Sequence, residues 1–157
     1  VLTEFGNSDL AFSMITRPDY PSYGNWIARG ATTLWEVFQP EGSDRIGSLN
    51  HHFWGDISSW FTQALSGIRM APHGEPNEVD FRPSFISRLT HAEAFHIAPA
   101  GRIASAWERD EDDVIVLTVK LPSTMHGVIR LESGYVFEDD LAYKAAESGT
   151  YRIHSIE

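Results

Sequence analysis

The spacing of hydrophobic positions changes along this 157-residue chain from a helical period to a period of two. Residues 7–17 carry apolar side chains three and four positions apart, which predicts a short helix that ends before Pro18. The same spacing predicts a longer helix over residues 48–66, with Gly67 as its stop. A brief helical turn is expected around Trp26.

Further along the chain, apolar and polar residues alternate in short runs separated by turns. Such runs predict β-strands rather than helices. The acidic run 110–113 reads DEDD and is interpreted as a solvated hairpin turn rather than a calcium site, because its carboxylates do not follow a converging ligand pattern. The alternation begins with Val79, Phe81 and Phe85. The predicted strands after them cover residues 92–97, 101–107, 114–121, 125–131 and 150–156. Short strands with turns between them are typical of an antiparallel β-sandwich.

The change of pattern divides the chain into two predicted domains. Residues 69–77 contain two prolines and one glycine without any period and are interpreted as a linker. We therefore predict an incomplete helical domain over residues 1–70 and a β-sandwich domain over residues 71–157. Residues 1–5 resemble the end of a helix with Gly6 as its stop, so the protein is expected to continue upstream. The sequence leaves the localisation open.

Composition and charge narrow the classes of function. Lys and Arg number 12 and Asp and Glu number 22, so the net charge is −10 and nucleic acid is not an expected partner. The chain has no cysteine, which excludes disulfides, thiolate catalysis and cysteine-bound zinc within it. No run of 18 apolar residues is present to cross a membrane. We predict no metal and no cofactor.

The candidate chemistry lies between Gly30 and Gly55, in the segments GATTLWE and SLNHHFWG. Glu36 is the candidate acid or base, since Trp35 and Phe38 flank it and would shield it from water. A second interpretation is structural. Thr33 stands three positions before Glu36, as in a helix capping box, and on spacing alone the cap is the better explanation.

Two adjacent histidines and several tryptophans accompany this carboxylate. His51 and His52 are predicted in the first turn of the 48–66 helix, either as surface residues or as hydrogen-bonding partners of a neutral polar substrate. Adjacent helical positions diverge, so a shared metal is disfavoured. Trp60 fits the apolar face of the helix. The side chains without such a place are Trp26, Trp35 and Trp54, whose flat rings suit the faces of a pyranose sugar.

These residues resemble those of a known family. The stretches DYPSYGNWIARGATTLWE (19–36) and SLNHHFWGDISSWFTQALSGI (48–68) are similar to the end of the catalytic domain of bacterial α-L-rhamnosidases, glycoside hydrolase family 78. The stretches GRIASAWERDEDDVIVLTVKLP (101–122) and SGTYRI (148–153) resemble the C-terminal β-sandwich of that family. The resemblance covers nearly the whole chain. It implies a fold in two parts, the last helices of an (α/α)6 barrel followed by an antiparallel β-sandwich.

The resemblance also implies an activity and roles for individual residues. The family hydrolyses terminal α-L-rhamnose with inversion, which requires an acid and a base carboxyl group about 6.5–9.5 Å apart. Glu36 matches the general base and His51 the histidine that binds the sugar, while Trp35 and Asn50 shape the pocket. The implied general acid lies upstream. The expected partners are therefore a rhamnose-containing glycoside and the rest of the barrel or another chain, and this chain alone is expected to be inactive.

Two other hypotheses remain open at this stage. The sandwich at 71–157 is alternatively a non-catalytic carbohydrate-binding or scaffolding module, which would fold alone and bind a sugar. The whole chain is alternatively part of a related enzyme that acts on a different sugar, because a fold and one motif do not fix specificity. The sequence does not determine the linkage cleaved, the aglycone or the oligomeric state.

Overall fold

The computed structural model describes residues 1–43 and 47–156. These residues form two compact units, Val1–Ser59 and Trp60–Glu157. The domain boundary predicted between residues 70 and 71 stays a prediction. Each unit is described by itself.

The first unit is helical at its start and irregular in its second half. Its elements are a 3₁₀ turn at Thr3–Phe5, helix α1 at Ser8–Thr16, helix α2 at Tyr23–Ala28 and the start of helix α3 at Ile57–Trp60. The predicted short helix and the turn around Trp26 are confirmed by α1 and α2. Gly6 ends the 3₁₀ turn in a left-handed conformation with φ 73°, as the sequence predicts.

A side-chain cap and a close approach fix the start of α2. The Ser22 hydroxyl accepts a hydrogen bond from the Asn25 N–H at 2.8 Å, which satisfies one of the free donors at the helix start. A Cβ at Gly24 would collide with the Thr16 carbonyl oxygen at the end of α1. Helix α2 can therefore follow α1 closely only with glycine at this position.

The helix predicted over residues 48–66 is wrong in its first half. Helix α3 begins only at Ile57, and it continues as a π-helical turn over Phe61–Leu65. Residues 48–51 instead hydrogen-bond to residues 34–36 through their backbone, so their N–H and C=O groups are not available for helical bonds. The apolar spacing that predicts the helix is real, but tertiary pairing overrides it in this segment.

The second unit is a two-sheet β structure, as predicted. One sheet has the strand order β1-β2-β6-β8 and the other β3-β4-β5-β9-β7. The pairing of β2 with β6 is parallel, whereas the other neighbouring strands described in the two sheets pair antiparallel. The strands are β1 Ile68–Met70, β2 Val79–Phe81, β3 His91–Ala98, β4 Gly101–Arg109, β5 Ile115–Lys120, β6 Val128–Arg130, β7 Tyr135–Phe137, β8 Tyr143–Ala145 and β9 Gly149–Ser155.

Most of the strand predictions are confirmed, with limits. Strands β3, β4, β5 and β9 lie where alternation predicts them, and the acidic run forms the predicted turn, in which Asp110 accepts from the Val114 N–H at 2.9 Å. The predicted linker 69–77 is wrong at its start, because Arg69 and Met70 belong to β1. Strand β2 confirms the alternation at Val79 and Phe81, whereas β6 is shorter than predicted. Strands β7 and β8 have no counterpart among the predictions.

One hydrophobic cluster fills this unit and draws on both sheets. Ile103, Ile115, Leu117 and Ile153 from the five-stranded sheet are fully buried, and the four-stranded sheet adds residues such as Phe81. Alternate residues of β4 and β5 point into the cluster, as the period of two requires. The sandwich therefore encloses its own core.

Candidate active site

The two segments that carry the candidate residues are paired through their backbones. The Glu36 N–H donates to the Ser48 carbonyl oxygen at 2.9 Å, and the His51 N–H donates to the Leu34 carbonyl oxygen at 2.8 Å. A side-chain bond from the Thr33 hydroxyl to the Leu49 carbonyl oxygen adds to this pairing. GATTLWE and SLNHHFWG thus form one ladder-like unit, although they are separated by eleven positions between Glu36 and Ser48.

The Glu36 carboxylate is held at one oxygen and is exposed. Its Oε2 accepts a hydrogen bond from the Ser48 N–H at 2.8 Å. The capping-box interpretation is wrong, since no helix begins at Thr33 and the carboxylate bonds to Ser48 rather than back to Thr33. The described neighbours leave the carboxylate open to water.

The predicted shielding of Glu36 by its aromatic neighbours is also wrong within the described chain. The Phe38 ring stacks on Trp26 with centroids 4.3 Å apart, and the Trp35 ring is tilted against Trp26 at 6.0 Å. Both rings are therefore engaged with Trp26 rather than with the carboxylate. Trp26 itself is buried, so the prediction that its ring is available for a sugar face is wrong within the described residues. The Arg29 guanidinium lies over the Trp35 ring, 5.3 Å from its centroid.

The two histidines lie outside any helix, contrary to the prediction. Because α3 begins at Ile57, no helix start lies beside them. The His51 ring is half-buried and parallel to the exposed His52 ring, with centroids 5.6 Å apart, and Phe53 lies 5.6 Å away on tilted planes. The backbone bond from His51 to Leu34 places this histidine on the same paired unit as Glu36.

Asn50 lies in a tight local turn with Ser48. The Ser48 hydroxyl donates to the Asn50 carbonyl oxygen at 3.1 Å, and the Asn50 N–H lies 3.3 Å from the same hydroxyl oxygen. The residue is exposed. The structure thus brings the segments of all four predicted site residues together, Glu36, His51, Trp35 and Asn50.

A small cavity of about 270 Å³ lies beside the GATTLWE segment. It is lined by Tyr23, Trp26, Ile27, Ala31, Thr32, Thr33 and Leu34. None of the four predicted site residues lines it. Because Glu36 does not line this cavity, a ligand inside it would not lie against the carboxylate.

Of three residues near Glu36, Ser48 and Tyr23 were not predicted as part of the site, and Trp54 was predicted only as a ring for a sugar face. Ser48 bonds the carboxylate through its backbone, which no side-chain pattern could reveal. The Trp54 indole N–H donates to the Glu36 carbonyl oxygen at 2.9 Å, and the Tyr23 hydroxyl donates to the Trp54 carbonyl oxygen at 3.2 Å. The polar edges of the last two residues are visible in the sequence, but their targets are not.

Neither a metal centre nor a membrane span is found among the described residues. Across residues 1–43 and 47–156, no three His, Asp or Glu side chains come together in a way that could hold a metal ion. No helix in the same ranges is long and apolar enough to cross a bilayer.

Comparisons with known proteins define first a class and then a family. Residues 1–65 match the model of the bacterial alpha-L-rhamnosidase 6 hairpin glycosidase domain, and residues 77–135 match that of the bacterial alpha-L-rhamnosidase C-terminal domain. The class is therefore that of the glycosidases. The chain belongs to the bacterial α-L-rhamnosidase family.

Curated relatives agree with this assignment. The chain is 33% identical over 121 residues to an alpha-L-rhamnosidase of Alteromonas sp. (strain LOR), which covers 71% of this chain and 13% of that protein. It is 32% identical over 130 residues to an alpha-L-rhamnosidase of Formosa agariphila, which covers 79% of this chain and 14% of that protein. The chain thus spans only about one seventh of the length of these relatives and corresponds to a C-terminal part of such enzymes.

Solved structures show the same fold. The alpha-L-rhamnosidase from Dictyoglumus thermophilum is 25% identical, with a TM-score of 0.78 over 97% of this chain and 19% of that chain. The alpha-L-rhamnosidase of Streptomyces avermitilis, solved in complex with L-rhamnose, is 24% identical, also with a TM-score of 0.78, over 97% of this chain and 16% of that chain. The predicted fold class is confirmed: helices from the end of a six-hairpin glycosidase domain precede a β-sandwich.

Proposed function

We propose that this chain is the C-terminal portion of an inverting glycoside hydrolase that releases terminal α-L-rhamnose. In this proposal Glu36 is the general base, His51 binds a hydroxyl group of the sugar, and Trp35 and Asn50 shape the pocket. The observation that carries the proposal is the backbone pairing of the Glu36 and His51 segments, with the Glu36 carboxylate fastened at one oxygen by the Ser48 N–H.

The geometry supports a base that acts on water. A carboxylate with one oxygen hydrogen-bonded to the backbone keeps a fixed direction, and its second oxygen can accept a proton from a water molecule. As the water oxygen attacks the anomeric carbon, its proton passes to Glu36. A carboxylic acid outside this chain protonates the departing glycosidic oxygen from the opposite face of the ring, so the configuration inverts.

The proposed partner is the rest of the catalytic barrel. Phe5, Ile27 and Phe53 of the helical unit are 77%, 71% and 74% exposed, and large exposed apolar side chains mark surfaces that another segment covers. Because the general acid lies outside the chain in this proposal, we expect the 157 residues alone to hydrolyse no rhamnoside.

The first experiment replaces Glu36 in the complete enzyme that carries this chain. Glu36→Gln should lower kcat for an aryl α-L-rhamnoside by about 10²–10⁴-fold, because the amide cannot accept the proton from water. The unfolding midpoint should hardly change, since the side chain is exposed. Glu41→Gln is the matched control at another exposed glutamate of the same unit and should keep normal kcat.

A second measurement tests the stereochemistry. Proton NMR during the first minutes of hydrolysis should show β-L-rhamnose appearing before the anomers equilibrate. Early α-L-rhamnose, or near-normal turnover by Glu36→Gln, would contradict the proposal.

A further inference from the structure

The indole of Trp54 points its only polar atom at the residue that carries the proposed base. Trp54 Nε1 donates to the Glu36 carbonyl oxygen at 2.9 Å, a normal length for a neutral hydrogen bond. The sequence places Trp54 among the rings available for a sugar face. In the structure, however, its ring is tilted against Phe38 at 5.2 Å, and it is 38% exposed.

Tyr23 in turn holds Trp54. The Tyr23 hydroxyl donates to the Trp54 carbonyl oxygen at 3.2 Å, and the Tyr23 ring meets Trp26 and Phe38 edge-on at 5.3 and 5.5 Å. Burial, and then the negative charge of Asp56, raises the pKa of Tyr23 above its ordinary 10.0. The hydroxyl therefore remains a donor throughout the neutral range.

Residue 36 is consequently fastened at three points. Its carbonyl oxygen accepts from Trp54, its N–H donates to Ser48, and its carboxylate accepts from the Ser48 N–H. The two backbone contacts limit rotation of the peptide planes on both sides of the residue. The third contact limits rotation of the side chain. Small errors in the direction of a catalytic group cost much of its effect on the rate, so such fastening matters for a base.

We propose that Trp54, held by Tyr23, is a positioning residue for the general base Glu36. Trp54 acts through the Glu36 backbone and not by contact with the sugar. The inference rests on the proposed function of Glu36.

The direct test is Trp54→Phe in the complete enzyme, which keeps an aromatic ring and removes the N–H. We expect kcat to fall about threefold to tenfold, the rate equivalent of one neutral hydrogen bond, while KM stays within about twofold. A raised KM with normal kcat would mean that Trp54 contacts substrate, and it would overturn the inference.

Trp26→Phe is the matched control. Trp26 stacks on the same Phe38, but its indole Nε1 has no hydrogen-bond partner among the described residues. The same substitution there should lower the unfolding midpoint through lost packing and leave kcat within about twofold. An equal loss of kcat in both variants would show a general packing effect and overturn the inference.

An azide assay separates this inference from the proposed function. In Glu36→Ala, azide can attack the anomeric carbon without a base: a C–N bond forms, the glycosidic C–O bond breaks, and the general acid protonates the leaving oxygen to give β-L-rhamnosyl azide. Absence of such rescue would overturn the general-base proposal and the inference with it.

The deciding step is Trp54→Phe in the Glu36→Ala background. If Trp54 acts through Glu36, the azide-rescued rate should be unchanged within about twofold. A further loss of threefold or more would overturn the inference while leaving Glu36 as the base. Should Trp54→Phe fail to fold, Tyr23→Phe serves instead, because it keeps every ring and removes only the hydroxyl. It should lower kcat about threefold to fivefold when Glu36 is present and leave the azide-rescued rate of Glu36→Ala unchanged within about twofold. A normal kcat in Tyr23→Phe would overturn the inference.

Discussion

The two units of the chain bury their apolar side chains to very different degrees. In the sandwich, residues from both sheets form one cluster in which Ile103, Ile115 and Ile153 have no exposed surface. In the described part of residues 1–59, the buried hydrophobic side chains are Ala11 and Trp26. The sandwich therefore has a closed hydrophobic core. The helical unit has only a small aromatic cluster, and several of its large apolar side chains are exposed.

This difference teaches how stability and chemistry are distributed. The proposed catalytic residues lie in the unit with the smaller core, and their positions depend on paired backbones and a few ring contacts. A small unit buries too little surface to be robust by itself. We therefore expect stability to be concentrated in the sandwich and activity to depend on what covers the helical unit.

The largest expected effect comes from truncating an isoleucine side chain to alanine, which can be done at one position in each unit. Ile115→Ala should destabilise the 157-residue chain by about 2–5 kcal/mol, because Ile115 is fully buried and leaves a cavity. Ile27→Ala, at a side chain that is 71% exposed, should change the stability by no more than about 0.5 kcal/mol. Urea unfolding followed by circular dichroism measures both.

The same pair of substitutions in the complete enzyme sharpens the comparison. If the rest of the barrel covers the helical unit, Ile27→Ala becomes costly there and stays harmless in the 157-residue chain. Equal costs for Ile27→Ala and Ile115→Ala in the 157-residue chain would refute the difference between the units.

An intermediate effect is expected at Tyr23 in the helical unit. Its raised pKa contributes stability that is fully present below the unfolded value of 10.0 and is lost as the pH rises through the folded value. Tyr23→Phe should cost about 1 kcal/mol near neutrality, through the lost bond to Trp54, and should lose less stability than the wild type above pH 10.0. Unfolding curves at neutral and alkaline pH measure this.

Tyr20→Phe provides the control for Tyr23→Phe, because Tyr20 is an exposed tyrosine of the same unit. Tyr20→Phe removes a hydroxyl that is not bonded to Trp54, so its stability near neutrality should match that of the wild type. If Tyr23→Phe lost as much stability at alkaline pH as the wild type does, the coupling of the Tyr23 hydroxyl to the fold would be refuted.

The smallest expected effect lies on the surface of the sandwich. Lys144 Nζ is 2.6 Å from Asp139 Oδ2, and this hydrogen bond lowers the pKa of the Asp139 carboxyl below its ordinary 3.8. Its contribution is present above pH 3.8 and is lost as the pH falls through the folded value. Lys144→Gln should therefore lower the stability slightly above pH 3.8, and the difference from the wild type should vanish in acid, where the Asp139 carboxyl is protonated. Added salt should reduce the difference because both groups are partly exposed.

An NMR titration of the Asp139 carboxyl checks this prediction directly, since its midpoint should rise in Lys144→Gln. Lys120→Gln, at an exposed lysine of β5, should leave that midpoint unchanged. A loss of stability in Lys144→Gln that is the same at neutral and at acid pH would contradict the assignment of the effect to this ion pair.

Long alternating runs made the larger sheet predictable from the sequence. Strands β3, β4 and β5 each have at least six residues, so inward and outward positions repeat often enough to be recognised. Strands β7 and β8 have three residues each, which is too short for a period to appear. Their places are set by partners, since β7 pairs with β9 and β8 with β6.

The candidate site, unlike the larger sheet, was only partly predictable from the sequence. The residue types of Glu36 and His51 were recognisable, but the local structure around them was not. Helical spacing in residues 48–66 and the capping-box spacing from Thr33 are local patterns. The pairing of residues 34–36 with residues 48–51 is a tertiary contact, and it consumes the very backbone groups that a helix would need.

The backbone hydrogen bond between Glu36 and Ser48 has a consequence for where the sequence can accept insertions. Since the ends of the intervening segment are joined by the pairing itself, the distance between the two motifs in space does not depend on their distance in sequence. Lengthening such a connection costs little, about 0.6 kcal/mol for each doubling of the loop. The exposed residues 40–43 are therefore a natural place for insertions, including a grafted peptide.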